Sequence, residues 1–172
     1  MIRIAIFNTL YAGTCAYAWI RGSKAERVGV IILIADFQLS HWLVAPLADR
    51  YSGVEWPMFA VDGGAMMAFY AMSLVTTRYW PLWMTALQAC VTAAHLNGLR
   101  HDVVPFAYGH FVALWSYLQL AILAAATIRH RRRLKRYGTD PAWRWHLTET
   151  YKNGGVADDT GATTDVKFAT ST

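Results

Sequence analysis

Between Ile4 and Ile128 charge is scarce, and the chain lacks every short motif that marks a soluble catalyst. There is no phosphate-cradling glycine loop, no Ser- or Cys-centred triad pattern, no HExxH helix and no CxxC knuckle; Gly63 and Gly64 fall inside a helical pattern. Cysteine is limited to Cys15 and Cys90, both within apolar stretches, which excludes a disulfide framework and a thiolate metal knuckle. No repeat period and no pair of matching halves stands out, so solenoids and inverted-repeat transporters are disfavoured. Charged residues make up 16% of the 172, against about 25% in ordinary soluble domains. The net charge of +5 does not make a nucleic-acid face, because the basic residues gather at segment ends and in the tail.

Apolar residues, by contrast, reach 55% and aromatics 14%, organised as five long stretches with short, charged separators. Their bounds are roughly 4–20, 28–47, 56–77, 81–99 and 105–128. Crossing about 30 Å of hydrocarbon takes about 20 helical residues at about 1.5 Å each, close to the length of every stretch. Pro57, Pro81 and Pro105 open three of them, where a missing N–H costs a helix nothing. Asn97 and Gly98 supply stop chemistry, and Ala48 to Gly53 read as a turn. The expected fold is all-α: an integral membrane bundle of five transmembrane helices over residues 1–136. A cytoplasmic tail, largely disordered, follows over 137–172, because from Gly154 onward it is Gly, Ala, Thr and Asp with few large apolar residues.

Lys and Arg give the orientation. Ten of them (Arg21, Lys24, Arg27, Arg78 and six between Arg129 and Arg136) fall on one side, against Arg3, Arg50 and Arg100 on the other. The N-terminus is therefore placed outside and the C-terminus in the cytoplasm. A cleaved signal peptide ending near Ala18 is the lesser reading, since cleavage would put both basic regions outside. Trp19, Trp56, Trp80 and Trp83 sit at segment ends, the headgroup level, whereas Trp42 and Trp115 are expected to pack between helices. The Arg129–Arg136 run anchors topology and attracts anionic lipid, at about 1 kcal/mol per basic residue near the surface. Pro141 to Tyr151 is expected as a short amphipathic helix on the membrane surface.

Asp36, His41, Asp62, His95 and His110 lie inside the apolar stretches. A central Asp there costs about 2.5 to 3.5 kcal/mol on insertion scales, so each needs a partner or a purpose. Counted from the outer helix ends, His41 and Asp62 come out level at roughly 9 Å depth, with His95 and His110 in the same leaflet and Asp36 nearer the middle. Gln88 and His95 share a face of the fourth stretch, as do His110 and Tyr117 of the fifth. On the second, Asp36 lies roughly 140° around the axis from His41 and is given a different partner. Such a cluster suits a proton-handling pair, a divalent metal site or a paired haem, yet nothing in the sequence requires a cofactor. The alternative is that these groups bond one another and fix helix register. Met58, Met66, Met67 and Met72 read as gap fillers. Ala60, Gly64 and Ala68 form a small-residue stripe for close approach of a neighbouring helix, with Asp62 on the opposite face, which places the third helix centrally.

Val61 and Asp62, then Tyr79, Trp80, Pro81, Leu82 and Trp83, then Trp115, Ser116 and Tyr117 and the terminal Arg run carry a resemblance. Over Arg50 through Arg133 the chain resembles small polytopic inner-membrane proteins of alphaproteobacteria, a group with no assigned activity. The resemblance implies a bacterial inner-membrane location and transfers no substrate, cofactor or catalytic residue. The expected function is a non-enzymatic inner-membrane protein, an accessory or partner-binding component of a membrane complex. Its partners are the lipid bilayer and a protein partner or a second copy of itself, with no nucleic acid. The alternatives are ion or proton handling by the outer-leaflet Asp/His cluster, and metal- or haem-based electron transfer.

Overall fold

A computed structural model describes residues 2–43, 56–96 and 105–145, with all side chains except those at 3 and 105–113. The described residues form five α-helices and no strand: α1 Ile2–Arg21, α2 Lys24–Leu43, α3 Trp56–Val75, α4 Trp80–His95 and α5 Pro105–Tyr137. The all-helical class and the five elements agree with the sequence. The turns expected at 48–53 and 97–102 and the tail beyond 145 lie outside the described residues.

Two boundaries differ for reasons of capping. α2 starts at Lys24, four positions ahead of the apolar stretch, because Ser23 and Glu26 close a capping box. The Ser23 N–H donates to Glu26 Oε2 at 2.8 Å, the Ser23 hydroxyl bonds the same oxygen, and the Ala25 N–H reaches Ser23 Oγ at 3.3 Å. At the other end of the chain, α5 runs on through the basic residues to Tyr137. It stops at Gly138, whose φ of 72° belongs to the left-handed region a glycine enters without strain. The Gly138 N–H caps the Leu134 carbonyl at 3.0 Å.

α2 packs on α1, α3 and α5, and α5 packs on α1, α2 and α4, whereas α3 packs mainly on α4 and α2. The interior is built by small residues facing large ones. Gly29 of α2 is the tightest such point: a Cβ there would stand 2.4 Å from the Trp80 ring. Trp80 in turn packs edge-on to the fully buried Phe69 at 6.3 Å and donates its indole N–H to Glu26 Oε1 at 3.2 Å. The sequence places Trp80 at the headgroup level, but Glu26 and Gly29 together make a socket that buries it, while Trp19, Trp56 and Trp83 stay exposed. Trp42, expected between helices, is 74% exposed, about 140° around α2 from the inward-facing Phe37.

One end of the bundle gathers the α1–α2 turn, the α3–α4 turn and the last turns of α5, and with them the described basic residues Arg21, Lys24, Arg27, Arg78 and those of Arg129–Arg136. There the chain beyond α5 folds back. Thr77 N–H and Thr76 Oγ1 donate to the Ala142 carbonyl at 3.1 and 2.6 Å, Thr77 Oγ1 donates to the Pro141 carbonyl at 2.7 Å, and Arg144 Nε donates to the Thr76 carbonyl at 3.1 Å. Residues 138–145 are thus tied to the α3–α4 turn, where the sequence reading has the start of a tail and a surface helix.

Candidate polar site between α3, α4 and α5

α4 directs Gln88, Thr92 and His95 inward on one face, at i, i+4 and i+7, and all three are buried. Asp62 of α3 meets them. Gln88 Nε2 donates to Asp62 Oδ1 at 2.7 Å, and His95 Nε2 lies 2.6 Å from Asp62 Oδ2. Gln88 Oε1 then accepts from Nε2 of Gln119, so the Gln88 amide is bonded at both ends and its orientation is fixed by the chain of donors. Thr92 bonds back to the Gln88 carbonyl at 2.8 Å. Asp62, Gln88, His95 and Gln119 are each at most 9% exposed, so three helices share one nearly dry polar network.

Asp36 of α2 stands beside this network. Its carboxyl faces that of Asp62, one acceptor beside another. Asp36 Oδ1 is buried without a donor among the described residues. The same residue lines a groove of about 490 Å³ between α2 and α3, otherwise walled by apolar side chains. Its floor is the small-residue stripe of Ala60, Gly64 and Ala68. Among the described residues no helix fills that stripe: a Cβ on Gly64 would meet nothing within 4 Å.

Of the residues singled out in the sequence, Asp62 and His95 come together and Asp36 adjoins them. His41 does not join: it is exposed on α2. With Asp36 turned toward α3, a residue about 140° further round the helix faces away, whatever its depth. The side chain of His110 lies outside the described residues. Tyr117, which shares its face by heptad spacing, packs edge-on against Phe7 at 5.3 Å, within an aromatic group that includes Tyr11 and Phe37. Gln119 is the member of the network that the sequence reading lacks; its signal there is a lone amide in an apolar run. Among the described residues no three His, Cys, Asp or Glu side chains converge as a metal site would need. Met72 is in the core and Met67 is 57% exposed, so the methionines of α3 do not converge either.

A second buried cluster lies at the basic end. Asp140, its side chain 2% exposed, bonds Arg78 Nη1 at 2.5 Å and His130 Nδ1 at 2.8 Å, with Arg133 Nε at 3.3 Å. Arg78 Nη2 adds a bond to the Asp140 carbonyl at 3.2 Å. One carboxylate thereby joins the α3–α4 turn, α5 and the segment after it.

Compared with protein-family profiles, curated proteins and solved structures, the chain matches none.

Proposed function

We propose that this chain is a five-span integral protein of a bacterial inner membrane, N-terminus outside and basic end in the cytoplasm. It acts without catalysis as a partner-binding component of a membrane complex. Support comes first from the inverted surface. Asp62, Gln88, His95 and Gln119 point inward, whereas Ile4, Ile31, Met67, Leu82 and Leu114 are more than half exposed on five different helices. In water such a surface is an aggregation liability; in lipid it is the solvated one. One helix among the described residues, Trp56–Val75, is long and apolar enough by itself to cross a membrane. α4 has 16 described residues, and α2 begins with Lys24, Glu26 and Arg27, so these helices miss the criterion through their ends. The resemblance of 50–133 to alphaproteobacterial membrane proteins points the same way.

The observation that carries partner binding over catalysis is the contrast between the two polar features. Among the described residues the members of the interior network bond one another, as a register-fixing device does, while the α2–α3 groove is open and holds none of the described side chains. The proposal is tested by alkaline carbonate extraction of membranes together with a fluorescent-protein fusion after Thr172. Retention in the membrane pellet and a fluorescent, cytoplasmic fusion are expected. Release of the chain by carbonate, or a dark fusion with an active periplasmic phosphatase in its place, overturns it.

Proton handling is the second reading, favoured by the Asp36–Asp62–His95 succession of ionisable groups through the outer half of the bundle. Its measurement is argued with the Asp62 variants below.

A further inference from the structure

We propose that the basic end of the bundle is a binding surface for anionic phospholipid headgroups, completed by the segment 138–145, which folds back from α5 and brings Trp143 and Trp145 to the lipid's edge. The inference rests on the membrane reading above and names the lipid class that the cytoplasmic face holds.

The charge presented to solvent at this end has one sign. Among the described residues Glu26 and Asp140 are the carboxylates here, and both are committed inward. Glu26 is fully buried and bonds Ser23 and Trp80. Asp140 is buried and bonds Arg78, His130 and Arg133. Arg21, Lys24 and Arg27 of the α1–α2 turn stay exposed, as do Arg129, Arg132 and Arg136 of α5. The last three fall on one side of the helix, at i, i+3 and i+7. By the helical wheel Arg133 lies between that stripe and the inward-facing His130, and Arg133 reaches Asp140, so the folded-back segment runs beside the stripe. A stripe held on a helix, with its flank tied down, loses less freedom on binding a phosphate than the same charges on a loose tail.

Height then selects the ligand. Thr76 follows directly on α3, pairs with Trp143 across an antiparallel bridge and accepts from Arg144 Nε at 3.1 Å. Trp143 and Trp145 are therefore level with the point where the third span leaves hydrocarbon, the headgroup level at which indoles accumulate. Their rings stack at 5.2 Å and 5°, and Trp145 is more than half exposed. On α5 the same level is marked by His130, whose Nδ1 lies 3.2 Å from Arg78 Nη2. Arg136 stands six residues further out, roughly 9 Å of helix, within a Debye length of about 10 Å at 0.1 M salt. The charges thus act on the headgroup plane itself, where the leaflet's phosphates are tethered at a local concentration that no soluble polyanion reaches.

The test is native mass spectrometry of the full chain in mild detergent, titrated with dioleoyl phosphatidylglycerol and, separately, with dioleoyl phosphatidylcholine. Wild type is expected to retain phosphatidylglycerol preferentially and to lose the preference in high salt. Arg129→Gln, Arg132→Gln and Arg136→Gln should each weaken phosphatidylglycerol binding by about 5-fold. Trp145→Ala is the decisive variant, because it changes an exposed side chain and no charge. A surface that includes the folded-back segment predicts weaker phosphatidylglycerol binding; a diffuse cloud of charge predicts no change. Asp140→Ala makes the same distinction by sign, since it raises the net positive charge yet releases the segment, so binding should fall. Equal retention of the two lipids, Trp145→Ala protein that binds phosphatidylglycerol as wild type does, or Asp140→Ala protein that binds it more tightly overturns the proposal. So does binding of duplex DNA by the chain in phosphatidylcholine nanodiscs without any lipid preference, which would make this a face for soluble polyanions. None of these outcomes touches the membrane reading, which carbonate extraction decides separately.

Discussion

Asp140→Ala is expected to be the most damaging single substitution in the described chain, at about 3–5 kcal/mol, the range for removing one partner of a buried ion pair. The cost comes from what stays behind. Arg78 is 7% exposed at its side chain, so its guanidinium would lose its carboxylate and keep most of its burial. His130, 9% exposed, would lose the same acceptor, whereas Arg133, nearly half exposed, could turn to solvent. Asp140→Asn should recover part of the loss by accepting one bond without matching the charge. The readout is thermal unfolding of the detergent-solubilised protein together with limited trypsin digestion. Arg144 is held against the Thr76 carbonyl in the folded chain, so cleavage after Arg144 should accelerate in Asp140→Ala. Unchanged stability with unchanged cleavage would mean that the Arg78–Asp140 contact does not order this end of the bundle.

That cluster also marks where the sequence stops being informative. Asp140 and Arg78 are separated by 62 positions, and nothing local to either announces the other. A Gly-Thr-Asp-Pro stretch after a basic run has the composition of a released tail, and composition alone cannot register that Thr76 and Thr77 hold open donors for its carbonyls. Trp80 is a parallel case. Its position at a helix start is legible, but its socket is made by Glu26 and Gly29 of α2 and becomes visible only once α2 and α4 are packed together. By contrast the Ser23-x-x-Glu26 box lies in the sequence itself, amid Arg21, Lys24 and Arg27, and needs no distant partner to form.

Within the polar site, periodicity succeeded where depth did not. Gln88 and His95 share a helical face, and both reach Asp62. Height alone pairs His41 with Asp62, and two groups at one height on adjacent helices meet only if their azimuths also agree. Asp36 takes that azimuth on α2. The same angular argument would have found Gln119. It stands two residues, about 200° of arc, beyond Tyr117, so when Tyr117 packs on Phe7 of α1, Gln119 must face the other side, where α4 lies. Helix existence and phase are local properties of the chain; which face meets which is decided by the bundle.

Asp62→Ala is the second large effect, at about 2–4 kcal/mol, from leaving buried donors unmade at about 1–3 kcal/mol each. The Gln88 amide and the His95 ring would both point into the vacated volume, and Gln88 could not turn to another acceptor without surrendering Gln119. Asp62→Asn separates the two readings of the site. An asparagine keeps the shape and one acceptor oxygen, so the bundle should unfold within about 1–2 kcal/mol of wild type, the scale of a single hydrogen bond to a charged group. It cannot take up or release a proton, whereas a scaffold needs only the bonds. Purified wild-type and Asp62→Asn proteins in liposomes loaded with a pH-sensitive dye therefore give a direct comparison. Equal, dye-limited leak in both is the result expected of a register-fixing network. A wild-type proton flux that disappears in Asp62→Asn, with folding retained, would transfer the site from scaffold to proton pathway and make Asp36 and His95 the next groups on it.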